Sequence, residues 1–399
     1  MERYAAAAAI TGLVVFSATF AIDIQQTGWE KQVLDKDVTG FLDVEAGNGK
    51  VHLVFRDAGG LKYISGRKSG LLETVAGRNW RRETVAQGEH TGSYASLEII
   101  SGKPMVAYQY AQVGSERAML ATRENGNWSR ETVSEQEGLN VGMYSELVSY
   151  RGSPAVLYTD DFEESLMLAT RAGDGWNRES LESDAGLLTD AEFCGGEVKA
   201  AFTNRTTNRL MLGSYDGTWS SERLNVTATS LDLSMQQGCD PFVLMHSDSE
   251  DAVLAYDSGA LNKIGSSQFS RVSSDISGDT HVAFNQRGQG LRYGVYGNGS
   301  YPVIAGGRNT GGYNDLEVDG SSKYVVYTNG TDLVYAEYTP MESRLARTAV
   351  DMAKVIGLSL LLLAGLIVKT RVKSLARDLL ARMHPRYQGL HRFIGAKEK

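Results

Sequence analysis

At six places in the chain an acid precedes the central apolar residue of a short alternating segment: Asp43-Val44, Glu146-Leu147, Glu192-Phe193, Asp232-Leu233, Asp275-Ile276 and Asp315-Leu316. Ser96-Leu97 stands at the equivalent place in a seventh segment. Carboxylates gathered by a repeat have two uses. As a ring they raise one another's pKa or recruit a cation; singly, each accepts backbone hydrogen bonds from the neighbouring unit. Two acidic runs, DDFEE at 160–164 and SDSED at 247–251, lack the spaced ligands and glycine of a calcium loop and read as solvated turns. His52 and His281 occupy matching points of two segments, which marks packing rather than catalysis. H-E-x-x-H, G-x-S-x-G and phosphate-binding loops are absent, so no residue is named as catalytic. Cys194 and Cys239 are the only cysteines, too few for a zinc cluster. In an oxidising compartment they form a staple, provided their Cα atoms lie within about 7 Å.

The elements that position these groups come from a repeat. All five tryptophans fall at one point of it, at Trp29, Trp80, Trp128, Trp176 and Trp219, in contexts such as WRRETV, WSRETV and WNRESL. A second segment recurs seven times as KVHLVF, KPMVAY, SPAVLY and their counterparts, and a third as AMLATR, LMLATR and LVYAEY. Each alternates as a half-buried strand does, and turn residues such as Gly126-Asn127 and Asp174-Gly175 separate them. A strand before each, such as SYASLEI, completes four strands in a period near 45 residues. Such a period is that of propeller blades. The first strand, at Trp29, has no blade before it, and the last blade lacks an outer strand. Pairing the two closes a ring of seven blades over residues 29–338 and removes the exposed edges. The expected fold is therefore all-β, a seven-bladed propeller followed by one C-terminal transmembrane helix.

With Gly92-Ser93-Tyr94-Ala95-Ser96-Leu97 and Gly102-Lys103-Pro104-Met105-Val106-Ala107-Tyr108, the chain resembles secreted propellers of the BNR/Asp-box type. Ser214-Tyr215-Asp216-Gly217-Thr218-Trp219 is a shortened Asp-box. The resemblance implies the fold over 29–338 but leaves function open, since such propellers include lectins, hydrolases and scaffolds. A sialidase-like enzyme would need three arginines converging on a substrate carboxylate, a Tyr/Glu pair and an acid. No spacing here selects the three.

The two ends point to a membrane. Residues 1–21, with an apolar run at 5–21, suit a signal peptide or an N-terminal anchor. After a short linker at 339–347, residues 348–368 are long enough to span a bilayer, and 355–368 carry no charge. Lys369, Arg371 and Lys373 follow at once, so the tail at 369–399 is expected in the cytoplasm and the propeller outside. The tail carries a charge of +7 and the remainder −15. An acidic body excludes general nucleic-acid binding, while the basic amphipathic tail suits anionic lipid or a cytoplasmic partner. Glycosylation sequons at Asn127, Asn204, Asn225, Asn298 and Asn329 all fall on the expected outer side. No cofactor is implied beyond a structural cation in the tunnel. The expected function is surface recognition of a glycan or protein through propeller-face loops. A membrane-tethered sialidase-like hydrolase and an envelope scaffold are the alternatives.

Overall fold

The computed structural model describes residues 28–67, 80–112, 115–136, 141–266, 271–286, 288–338, 368–369 and 371–376. Seven four-stranded antiparallel sheets follow one another as the blades of a propeller. Their innermost strands are Val38–Gly47, Thr91–Ile100, Val141–Tyr150, Ala185–Cys194, Ser230–Met235, Val272–Ser277 and Thr310–Asp319, in blades 1 to 7. Each blade runs outward by hairpins, as the sequence repeat requires. The second strands are apolar on both faces because another blade covers each face: Val51, Leu53, Val54 and Phe55 of Lys50–Asp57 are all buried. The core therefore lies between blades. One such layer joins Val54, Leu61 and Tyr63 of blade 1 to Leu97, Val106 and Tyr108 of blade 2, with Trp128 against it.

Outer strands expose one face to solvent and are tied to the preceding blade through the repeated tryptophan. The indole N–H of Trp80 donates to Gln32 at 3.0 Å, that of Trp128 to Glu83 at 3.0 Å, and that of Trp219 to Glu182 at 3.1 Å. Each acceptor sits on the outer strand of the blade before. Trp176 is instead covered by the Arg171 guanidinium, which pairs with Glu131 of blade 2. The ring closes as the first tryptophan implies. Strand Trp29–Asp35 pairs antiparallel with Asp332–Tyr338 and becomes the outer strand of blade 7.

The register fixes which end of the ring is which. The inner strand of blade 7 begins with Thr310 opposite Asn329 and ends with Asp319 opposite Ser322. Tyr338 then lies beside Lys323, and Trp29 beside Tyr338. The first and last strands of the propeller thus meet at the face where the inner strands end.

A second unit comprises residues 70–76 and 342–399. It is described only at 368–369 and 371–376, which are helical and exposed. Among the described residues no helix is long and apolar enough to cross a membrane. The segments expected as a signal or anchor at 1–21 and as a linker at 339–347 lie outside the described residues. So do the spanning helix at 348–368, apart from Val368, and the tail from 377 onward.

Candidate functional site

The inner strands surround a tunnel with a cavity of about 970 Å3. Its carboxylates form two tiers rather than one ring, because side chains two residues apart on a strand share a side. The register defines the tiers. In the first, Asp43, Glu146, Asp190, Asp232 and Asp315 sit opposite the fifth residue of the KVHLVF-type segment, as does Ser96. In the second, two residues on, are Glu45, Glu98, Glu192, Asp275 and Glu317. All ten line the cavity. The six sequence-selected acids all reach the tunnel, but Glu192 and Asp275 do not belong with the other four. Ala191, rather than Phe193, fills the slot of Val44, so Asp190 takes the first tier; in blade 6 that place belongs to Ser273.

Most first-tier groups tie one blade to the next. Asp315 accepts the N–H of Val44 at 2.7 Å, Asp43 that of Leu97 at 2.6 Å, and Ser96 that of Leu147 at 3.1 Å. Asp190 accepts from Leu233 at 2.6 Å and Asp232 from Ser274 at 2.7 Å. In the second tier Glu317 accepts from Ala46 and Glu192 from Met235, both at 3.2 Å, and Asp275 accepts from Val318. Such bonds favour the ionised form, yet burial opposes it more strongly. Burial, with Asp43 nearby, pushes Glu98 up to about 7; Asp190 reaches about 7 by burial although two backbone N–H groups hold it down. Burial and the charges of Asp190 and Asp275 push Glu192 up to about 8. Glu45, Glu146, Asp232, Asp315 and Glu317 are raised well above the ordinary carboxylate range, again by burial first and neighbouring charge second. The mutual interaction of Asp43 and Asp315 adds to the rise at Asp315 and works against the rise at Asp43. All ten nonetheless keep some exposure toward the tunnel, so water screens part of this repulsion.

Aromatic residues rim one mouth. Two positions before the first-tier residues stand Phe41, Tyr94, Tyr144 and Tyr313, with Arg271 at the same place in blade 6. The rings touch in sequence. Tyr144 and Tyr94 are 4.3 Å apart between centroids, Tyr94 and Phe41 4.7 Å, and Phe41 and Tyr313 5.9 Å. The Arg271 guanidinium lies 5.4 Å from the Tyr313 ring centre. Phe41, Tyr94 and Tyr144 have φ of 51°, 51° and 50°, a left-handed conformation that bulky residues avoid. Each sits where the pairing register breaks, between Gly40 and Asp43, Ser93 and Ser96, and Met143 and Glu146. Such bulges re-aim side chains, and here one recurs in three successive blades. Gly40 makes room for the arc, since a Cβ on it would stand 2.5 Å from the Tyr313 ring.

The other sequence-selected residues lie elsewhere. Cys194 and Cys239 form a disulfide between blades 4 and 5, with Cα atoms 5.6 Å apart, at the ends of the inner strands remote from the aromatic mouth. His52 and His281 pack against tyrosines, their Nδ1 atoms 2.5 Å and 2.7 Å from the hydroxyls of Tyr63 and Tyr293. Asn127, Asn225, Asn298 and Asn329 are exposed; Asn204 is half-buried and its amide donates to Asp184. Among the described residues no group of three or more His, Cys, Asp or Glu could hold a metal ion. Arg271 is the only arginine among the described residues lining the cavity.

No family model and no curated protein matches this chain. Its likeness to solved structures is one of fold. TolB from Acinetobacter baumannii is 13% identical with a TM-score of 0.43, the match covering 72% of this chain and 63% of that one. Trypanosoma rangeli sialidase in complex with 2,3-difluorosialic acid is 11% identical with a TM-score of 0.46, covering 82% and 61%. The GH93 α-L-arabinofuranosidase of Fusarium graminearum is 9% identical with a TM-score of 0.44, covering 79% and 99%. The match thus spans a little over three-fifths of the TolB and sialidase chains. At this distance the chain is similar to them as a β-propeller, with sheets arranged in blades around an axis.

Proposed function

We propose that the protein is a membrane-anchored recognition module, displayed outside the cytoplasm, that meets a glycan or protein ligand at the aromatic mouth of its tunnel. The observation that carries this reading is the left-handed conformation shared by Phe41, Tyr94 and Tyr144. Strain of this kind costs about 1–3 kcal/mol per residue and persists where function uses the side chain. Aromatic rings at a cavity mouth offer apolar faces to a ligand while the wall beneath offers acceptors.

One observation supports the placement. A disulfide between Cys194 and Cys239 suits an oxidising compartment. The basic tail at 369–399 is free in this reading to meet anionic lipid or a cytoplasmic partner. The hydrolase reading loses ground, because a sialidase-type site needs three converging arginines and Arg271 alone lines the cavity among the described residues.

The test is a glycan array and a pull-down from surface extracts with the full chain and with Tyr94→Ala/Tyr144→Ala. A ligand captured by the former and lost by the latter is the expected result. Capture that ignores the substitution would refute the assignment of the mouth. Protease shaving of intact cells checks the topology, and a protected propeller would overturn it.

A further inference from the structure

We propose that the mouth and tunnel accept an organic cation, an alkylammonium or guanidinium group, with aromatic rings about its head and wall carboxylates beneath. This rests on the recognition reading above and names the chemistry of its ligand. Three features converge on it. The rim is an arc of four aromatic side chains in contact, and aromatic faces attract cations through the ring quadrupole, guanidinium and quaternary ammonium among them. The wall is one-sided in charge: ten carboxylates, five in each tier, face a cavity whose sole arginine among the described residues, Arg271, stands at the end of the arc over Tyr313. Enclosed walls of one sign focus the field and concentrate counter-charge. Thr189 lines the same cavity, is only 7% exposed, and its Oγ1 has no partner within the protein.

Size points to an organic ion. A cavity of about 970 Å3 far exceeds the space of a single metal ion, and its carboxylates are not grouped as metal ligands among the described residues. A bulky, weakly hydrated cation enters such a space with less desolvation than a small hard one, and it uses the aromatic rim as well as the charge. Glu45 and Glu98 are the natural counter-charges, because they hold no backbone N–H of the next blade as Glu192, Asp275 and Glu317 do. The groups facing them are Asp43, Asp275 and Glu317, all acidic. A cation arriving there stabilises the ionised form and expels protons, so binding strengthens as pH rises from 6 to 8.5.

The experiment uses the full chain in nanodiscs, with tetramethylammonium and butylguanidinium as probes and butanol, lactose and glucuronate as neutral and anionic controls. Calorimetry in two buffers of different ionisation enthalpy reads both affinity and proton release. The expected result is binding of the cations at least about tenfold tighter than of butanol. Tyr94→Ala/Tyr144→Ala should weaken it about tenfold, as should Glu45→Gln/Glu98→Gln, a change that spares the bonds between blades. A peptide carrying one arginine distinguishes the sources of the cation. Tighter binding than butylguanidinium assigns a protein side chain, and equal binding assigns a free amine. Cation binding unchanged by the aromatic substitutions overturns the inference. Binding of lactose or glucuronate at the mouth, with cations inert, overturns it too but leaves the recognition reading standing. If the aromatic substitutions alter the binding of no probe, array glycan or surface protein, both fall.

Discussion

Raising the pH from 6.5 to 8.5 should destabilise the propeller through its tunnel. Glu98 and Asp190, with pKa near 7, and Glu192, near 8, still hold protons in the folded state where the unfolded chain has released them. A folded-state pKa above the unfolded value means the native state binds more protons, so stability falls as pH rises through it. The unfolded values are about 3.9 for Asp and 4.3 for Glu, far below the window, so the unfolded chain contributes no change of its own. Treated as independent, Glu98 and Asp190 each lose about 0.8 kcal/mol across the window and Glu192 about 1.9. That gives roughly 3.5 kcal/mol in all, before allowance for screening. The side chains keep some contact with tunnel water, so about half, roughly 2 kcal/mol, is expected. For a domain of this size that is a fall in Tm of about 3 °C.

The two buried histidines act in the opposite sense, but each contributes only about 0.4 kcal/mol across the window. Burial lowers His52 to about 4 and lowers His281 as well, so both remove stability mainly as pH falls through about 6.5. The assay is thermal unfolding of the full chain at 6.5, 7.5 and 8.5, followed by tryptophan fluorescence, since every tryptophan lies in or beside an outer strand. Glu98→Gln should be more stable at pH 8.5 and should flatten the curve. A Tm that is level or rises across the window would refute the reasoning, because it would mean that these carboxylates are already ionised without penalty in the folded ring.

Removing both cysteines as Cys194→Ser/Cys239→Ser frees a loop of 45 residues and should cost up to about 4 kcal/mol by the chain-entropy argument. Thermal unfolding with and without reductant checks it, and the variant should not respond to reductant. Gly213→Ala places a methyl group against the Trp219 indole, so a loss of about 1–3 kcal/mol and altered tryptophan emission are expected. Glu83→Ala strands the Arg123 guanidinium, bound through both carboxylate oxygens at 2.8 Å, together with the Trp128 N–H. Urea unfolding should show a loss of about 2–3 kcal/mol, and much less for Glu83→Gln, which keeps an acceptor.

The fold was legible because blade repetition writes itself into sequence. Tryptophan recurs where an indole must reach the preceding outer strand, and the second strands are apolar on both sides because a blade buries both faces. Even the ring closure could be read, since an outer strand stands alone at Trp29 while the last blade lacks one. What depends on register was less legible. In Ala185–Cys194 the stretch Asp190-Ala191-Glu192-Phe193 offers two acids, each followed by an apolar residue. Large Phe193 looks like the central position. The strand instead places small Ala191, 7% exposed and opposite Ala200, in the slot that Val44 fills in blade 1.

The same slip concealed the second tier. Acids two apart recur at Asp43 and Glu45, Asp190 and Glu192, and Asp315 and Glu317, with Ser96 and Glu98 as a variant. A strand has a period of two, so each pair must stand on one side at successive depths of the tunnel. That step needs only the sequence once the strands are known to be innermost. The aromatic rim required more. Its tyrosines belong to a repeated G-x-Y pattern, as in Gly92-Ser93-Tyr94, but period-two counting would put Tyr94 on the side of Ser96 as one more residue of an unbroken strand. The ladder breaks there, between Ser93 and Ser96, and Tyr94 adopts a φ of 51°. A bulge is a local exception to alternation, so alternation cannot reveal it. The recurrence of the glycine before it can. Gly92 and Gly142 both have positive φ, at 91° and 82°, two residues before Tyr94 and Tyr144. A glycine and an aromatic two apart at the start of successive inner strands therefore mark a mouth built on strained backbone, and that spacing is the signal to seek in other propellers of this kind.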